Sequence, residues 1–393
     1  MQPDELPLAG MKVLEFTHMV MGPSAGLILA DLGAEVTRVE PIGGDRTRAL
    51  QGSGAGYFAM YNRNKRSICL NLKDSAGINL ARRLARDSDV VIENFRPGTL
   101  ERLGLGYDTL RADNPRLIYC SAKGFLAGPY EERVALDEVA QMMGGLAYMT
   151  GPPGKPLRAG ASVIDVTGGM FGVIGILAAV ERRHRSGEGA HIKCSLFETT
   201  SFLVGQHMAQ MAVTGKPAAP MPARTSAWAI YDVFDTGAAD QIFVAVVSDA
   251  QWRAFCAEFK LTEFAADPAL ETNNGRVAQR ARILPPIRAL FAARSRDDLL
   301  KRLEAIGVPG AKIGRPEDLF DDEHLNAGGG LVDITLLDGR TTRLPALPVE
   351  MDGGRFGKRQ DLKAPGEDSR EVLQELGLGR DEIDALVRAG AVG

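Results

Sequence analysis

Two strand–helix–strand units follow one another at the front of the chain, and this alternation restricts the fold more than any other feature. Met11-Lys-Val-Leu-Glu-Phe16 is a β-rich run, Gly22-Pro23-Ser24 opens a helical stretch to Leu32, and Gly33 closes it before residues 34–40 resume as strand. A helix crossing between two strands of one sheet makes them parallel and the crossover right-handed. Residues 67–72, 76–88 and 89–93 repeat the pattern, and 117–121 add a further strand. A doubly wound, Rossmann-like α/β domain is therefore expected to residue 125.

Helical patterns follow at 137–149, 166–185 and 196–214, with a strand-like run at 191–195. Gly215-Lys-Pro-Ala-Ala-Pro-Met-Pro-Ala223, with three prolines, reads as a linker. Strands at 228–234 and 241–247, with helices at 250–259, 276–293 and 296–306, make a smaller α/β domain. Two strands at 331–336 and 340–343 and a helix pair at 369–376 and 380–389 complete the chain. The expected division is a large domain of residues 1–215 and 326–393 around a linker and small domain of residues 216–325.

The formal charge of −4 offers no positive excess for nucleic-acid phosphates or an anionic membrane, so neither is expected as a partner. Residues 170–180 form the longest apolar run and end in Glu181-Arg182-Arg183, so no membrane span is expected. Cys69, Cys120, Cys194 and Cys256 are widely spaced and read as reduced core residues. The opening Met-Gln-Pro-Asp-Glu-Leu-Pro has no apolar stretch of a secretory signal, and a cytoplasmic location is expected.

Several chemistries lack their parts. Glu40 ends the second strand where a ribose-binding acid would sit, yet Phe16-Thr-His-Met-Val-Met-Gly22-Pro23 carries no G-x-G-x-x-G, so no bound dinucleotide is expected. His18, His184, His191, His207 and His324 share no metal-ligand spacing, and His18 reads either as a turn residue or as a base. No G-x-S-x-G elbow and no G-x-x-x-x-G-K-[ST] loop occurs. One carboxylate stands out: Asp165, after an apolar run and before a long helix that begins with Gly168-Gly169-Met-Phe-Gly172. It can be an N-cap, whose oxygen accepts an orphan N–H. It can also be an ionised nucleophile, favoured by the helix start, with the glycines leaving room for an acyl group. The two roles are compatible. Arg63, Lys65, Arg66, Lys73, Arg96 and Arg102 fall at expected strand ends or helix starts, either as solvated surface or as a cradle for a ligand with several phosphates.

These residues resemble the class III coenzyme A transferases (the CaiB/BaiF type), the group that includes formyl-CoA and carnitine-CoA transferases and α-methylacyl-CoA racemase. The resemblance lies in Val13-Leu-Glu-Phe-Thr-His-Met-Val-Met-Gly-Pro23, Asp31-Leu-Gly-Ala-Glu-Val-Thr-Arg-Val-Glu-Pro41, Gly44-Asp-Arg-Thr-Arg48, Asn64-Lys-Arg-Ser67 and Asp89-Val-Val-Ile-Glu-Asn-Phe-Arg-Pro-Gly98. Asn114-Pro-Arg-Leu-Ile-Tyr119, Gly187-Glu-Gly-Ala-His191, Gly307-Val-Pro309 and Pro365-Gly-Glu-Asp368 extend it over essentially the whole chain. It implies an interlocked homodimer and a nucleophile at Asp165 that passes through aspartyl anhydride and aspartyl-CoA thioester intermediates. It implies coenzyme A contacts at Val20, Met21, Leu70, Asn71, Leu72, Lys73, Asn94, Phe95, Arg96 and Arg102, with Arg133 to Leu136 closing over the pantetheine arm. Tyr57 and Asp137 would line the acyl pocket. Coenzyme A thioesters are then substrates, with no metal and no permanently bound cofactor. Glycines after Asp165, or from the small domain, would supply the oxyanion donors.

Where the racemases use a histidine, the matching position is Leu136, which exchanges no proton and argues against racemisation. Ala223-Arg-Thr-Ser-Ala-Trp-Ala-Ile-Tyr231 stands where formyl-CoA transferase has a glycine run, which argues against oxalate as acceptor. Arg46, Arg158 and Arg224 are each able to bind a distal carboxylate. The expected reaction moves coenzyme A from succinyl-CoA to a short dicarboxylate such as itaconate, mesaconate or a malate-like acid. A racemase or epimerase, and a coenzyme A-binding protein without turnover, are the alternatives.

Overall fold

The computed structural model describes residues 3–393 apart from Thr225 and Ala238. The chain forms two compact units, one of residues up to Ala223 together with Glu323–Gly393, the other Arg224–Asp322.

In the first unit the elements run β1 (Lys12–Phe16), α1 (Met21–Asp31), β2 (Glu35–Glu40), α2 (Tyr57–Tyr61), β3 (Lys65–Cys69), α3 (Ser75–Arg86) and β4 (Val90–Glu93). They continue as α4 (Thr99–Arg102), α5 (Tyr107–Asp113), β5 (Ile118–Lys123), α6 (Asp137–Met143), α7 (Leu146–Thr150), α8 (Val163–Ser186), β6 (Ala190–Ser195) and α9 (Leu196–Thr214). The six strands pair in the order β3-β2-β1-β4-β5-β6, every pair parallel, which is the expected doubly wound sheet. Their apolar runs are buried on both faces, as a sheet covered by helices requires. The order reverses between β1 and β4. Beyond the carboxyl ends of those two strands, the chain leaves as Thr17–Val20 on one side and Asn94–Gly98 on the other, and the crevice between them is where such sheets receive ligands.

Helix α1 is buried along nearly its whole length because α8 covers it. The approach is close: a Cβ on Gly169 would stand 2.3 Å from Ser24 Oγ, and one on Gly168 would stand 2.7 Å from Met21 Cε. Gly168 and Gly169 therefore serve helix packing. The space expected for an acyl group beside them is filled by α1.

Two expected elements differ. The helical pattern at 137–149 breaks into α6 and α7 at Gly144-Gly145, where Gly145 takes φ 84°, a left-handed turn open to glycine. Helix α8 begins at Val163 rather than 166, so Asp165 lies inside its first turn and is not the N-cap. Ser162 holds that position without a side-chain bond. The helix closes on Gly187 at φ 75°, after Arg183, His184 and Arg185 complement its negative end. Helix α8 is long and apolar enough to cross a membrane by length and composition. Here it lies along the sheet, against α1, β5 and β6.

The second unit holds a three-stranded antiparallel sheet, β7 (Ile230–Asp235), β8 (Gln241–Val246) and β9 (Gly310–Lys312), in that order. Phe234, Phe255, Phe291 and Ile242 are fully buried in its core. Thr225, within the stretch expected to replace the glycine run, lies outside the described residues.

Candidate active site

The crevice at the sheet reversal opens into a cavity of about 470 Å³, with Asp165 in its wall. The β1–α1 turn forms one side: Met19 adopts φ 62°, a left-handed conformation, and its N–H reaches Thr47 Oγ1 at 3.1 Å. No glycine fingerprint is needed, because a methionine makes the turn. Asn94 clamps this turn from β4, accepting from His18 N–H at 2.9 Å and donating to the His18 carbonyl at 2.8 Å. A Cβ on Gly22 would lie 3.1 Å from the Asn94 side chain, so glycine permits the clamp.

Val20, Met21, Tyr57, Asn94, Phe95, Arg96, Arg133, Leu136, Asp137 and Asp165, all expected at the site, line this one cavity. Leu70, Asn71, Leu72, Lys73 and Arg102 do not. Leu70 is a correction: its side chain is 1% exposed and belongs to the core, out of a ligand's reach. Asn71 binds Ala391 through its N–H and Lys73 N–H through its side chain, while Arg102 reaches Thr99.

Asp165 is half-buried, and its carboxyl is pushed up to about 7. Burial is the largest cause, the carboxylates of Asp137 and Glu138 add to it, and Arg158 opposes them. Arg158 pairs with Glu138 and donates to the Ala159 carbonyl at 3.0 Å. Across the cavity Tyr57 Oη stands 3.5 Å from Ser162 Oγ. Burial, then Asp165, raises the phenol of Tyr61.

Asp137 borders the cavity; it is 4% exposed and both carboxylate oxygens are engaged by the protein. Oδ2 accepts from Ile164 N–H at 2.8 Å and from Asp165 N–H at 3.1 Å, and Oδ1 accepts from Gln141. These bonds satisfy helix-start donors that Ser162 leaves open. The oxyanion donors expected from the glycines after Asp165 are also corrected: Gly168 and Gly169 lie within the helix, where N–H groups bond four residues back.

No local sequence pattern marks Lys123 as part of the site. Lys123 donates to Glu93 at 2.7 Å and to the Phe95 carbonyl at 2.8 Å, fixing the Asn94–Arg96 wall. His18 meets Phe95 at a tilt, with ring centroids 5.4 Å apart, and its Nδ1 is buried without a hydrogen-bond partner. Burial holds this imidazole below its usual range. Gln141 had one available signal, its four-residue spacing from Asp137 on one helix face. A second cavity of about 560 Å³ shares His18, Met19, Phe95 and Arg96 with the first and adds Arg46, Thr47 and Thr99.

A doubly wound sheet whose crevice holds Arg96, Lys123 and Arg133 and a half-buried carboxylate of raised pKa suits an anionic ligand handled at that carboxylate. The chain belongs to CoA-transferase family III, whose model matches residues 8–369. It is 36% identical over 385 residues to the succinate–glutarate CoA-transferase of Agrobacterium fabrum, covering 94% of this chain and 96% of that one. It is 36% identical over 355 residues to the acetyl-CoA:oxalate CoA-transferase of Acetobacter aceti, covering 88% and 90%. A CaiB/BaiF family protein from Brucella suis, of known crystal structure, superposes with a TM-score of 0.83 at 34% identity, covering 94% of this chain and 99% of that one.

Proposed function

We propose that this class III CoA-transferase moves coenzyme A from succinyl-CoA to a C4–C5 dicarboxylate, with glutarate first among the acceptors and itaconate, mesaconate and malate beside it. The observation that carries the reading is the Asp165 carboxylate in the wall of the cavity, raised in basicity and beside the Arg158 guanidinium. The resemblance to the Agrobacterium succinate–glutarate enzyme supports the donor and acceptor class.

The acyl-CoA lies along the two joined cavities. Its phosphates meet Arg46 and Arg96, and its pantetheine arm passes Phe95 and Arg133 to bring the thioester to Asp165. The Asp165 carboxylate attacks the thioester carbonyl, and the C–S bond breaks to give a mixed anhydride and CoA thiolate. The thiolate attacks the aspartyl carbonyl of the anhydride, expels succinate and leaves an aspartyl-CoA thioester. The acceptor carboxylate then attacks this thioester and expels the thiolate. Attack of the thiolate on the acceptor's acyl carbon releases the new acyl-CoA and restores Asp165. No net proton is taken up or lost.

The enzyme works as a homodimer. Met170, Ile174 and Leu177 on α8, and Phe202, Met208 and Met211 on α9, stand exposed, and a second copy covers them. The four cysteines are buried and free, which supports the cytoplasm as its location.

The test is initial-rate transfer from succinyl-CoA to glutarate, itaconate, mesaconate, malate, oxalate and butyrate. A dicarboxylate of four or five carbons should exceed butyrate in kcat/KM by at least about tenfold, the worth of one charge-assisted contact. Equal rates with butyrate, or a preference for oxalate, would overturn the acceptor class.

A further inference from the structure

We propose that Asp137 is the positioning residue of the nucleophile: its buried carboxylate anchors the turn that presents Asp165 and supplies the fixed negative charge beside it. The inference rests on Asp165 as the attacking group and goes beyond it.

The geometry is specific. Helix α6 starts with Asp137, and its carboxylate crosses to the first turn of α8, where one oxygen takes the N–H groups of Ile164 and Asp165 together. Gln141, one turn further along α6, donates to the other oxygen, and its own carbonyl oxygen accepts from Ala159 N–H at 2.9 Å. Gln141 is fully buried. The loop before the nucleophile, the nucleophile's own peptide and α6 are thus tied through two side chains with no water in between. A backbone N–H held in this way fixes the Cα of Asp165 and the direction in which its side chain leaves.

A buried anion at the positive end of a helix also takes up the favourable field that would otherwise stabilise Asp165 as a carboxylate. Helix α6 also contributes Glu138, the preceding loop contributes Arg158, and these two pair with each other. Helix α2 contributes Tyr57 and Tyr61. His18, Lys123 and Arg133 stand in the wider cavity wall, and Lys123 is engaged by Glu93. Among the described residues, Asp137 is the carboxylate that touches the Asp165 peptide. Removing its charge should make Asp165 easier to ionise and a weaker nucleophile.

The test uses Asp137→Asn and the double variant Asp137→Asn/Gln141→Glu, which moves the charge one side chain away while keeping a donor–acceptor match. The pH dependence of kcat/KM is measured with the full chain and succinyl-CoA. For Asp137→Asn the acid limb should fall by about one pH unit, as expected on losing one like charge at close range. Its kcat should drop about tenfold or more, within the range for a displaced catalytic group. KM for succinyl-CoA should stay within about threefold, the pattern of an interaction spent on the transition state. The double variant should return part of the kcat and place its acid limb between the other two. A merely structural Asp137 would lower kcat in step with Tm and leave the limb where it is. An unchanged acid limb in a folded variant overturns the proposal, and so does failure of both variants to fold, because a positioning carboxylate is not a folding requirement. Formation of the coenzyme A adduct on Asp165 in the wild type, measured separately, reports on the nucleophile itself.

Discussion

Replacing Asp165 by Asn should stabilise the protein at neutral pH while abolishing turnover. The folded carboxyl titrates near about 7 against a usual 3.8, with burial the main cause. At about 1.36 kcal/mol per pH unit, that difference sets a ceiling of about 4 kcal/mol on the penalty for holding the ionised group in the fold. Asp165 is half-buried, and solvent screening reduces the expected effect to about 2 kcal/mol. The sign follows from a folded pKa above the unfolded one: stability is full below the usual carboxylate value and is lost as pH rises toward about 7. The neutral asparagine escapes that loss. The Tm of Asp165→Asn should therefore match the wild type near pH 4 and exceed it by about 4 °C at pH 8, taking about 2 °C per kcal/mol for a chain of this size. Scanning fluorimetry of both proteins across that pH range measures the gap. A gap that does not grow with pH, or that favours the wild type at pH 8, would mean that the ionised Asp165 does not destabilise the fold.

Gly169→Ala brings a Cβ to 2.3 Å from Ser24 Oγ and 2.7 Å from the Met21 carbonyl, so α8 must move off α1. We expect a loss of about 1–3 kcal/mol in chemical denaturation, with kcat reduced because the nucleophile's helix shifts. Lys65→Met strands the fully buried Glu15, whose carboxylate Lys65 holds at 2.9 Å. Denaturation should register a loss of about 3–5 kcal/mol, most of it recovered in Glu15→Leu/Lys65→Met. Ile174→Glu, on the exposed stripe of α8, should turn a dimeric native mass into a monomeric one without changing the helix content seen by circular dichroism.

The βαβ frame was legible because period-two and helical patterns alternate cleanly from Lys12 to Lys123, and parallel order with right-handed crossovers leaves few arrangements. Asp165 was legible as an isolated acid before a long helix, but its position in the turn was not. The cap comes from Asp137, far along the chain, and no local pattern announces such a bond. The glycines after Asp165 misled for the same reason: their use depends on where α1 comes to rest, a tertiary fact. The left-handed Met19 hid the β1–α1 turn from any glycine search; Thr47 holds its N–H, and Asn94 holds the neighbouring His18 backbone. Lys123 lies beyond the strand expected at 117–121, and its hold on Glu93 and Phe95 appears only once β4 and β5 lie side by side.

The most direct measurement is intact-protein mass spectrometry of the wild type and Asp165→Ala after brief mixing with succinyl-CoA, followed by peptide mapping. A mass increase of coenzyme A less one water is expected on the wild type alone, located on the peptide that contains Asp165. An adduct of the same size on Asp165→Ala, or none on the wild type with any acyl-CoA that it turns over, would contradict Asp165 as the nucleophile.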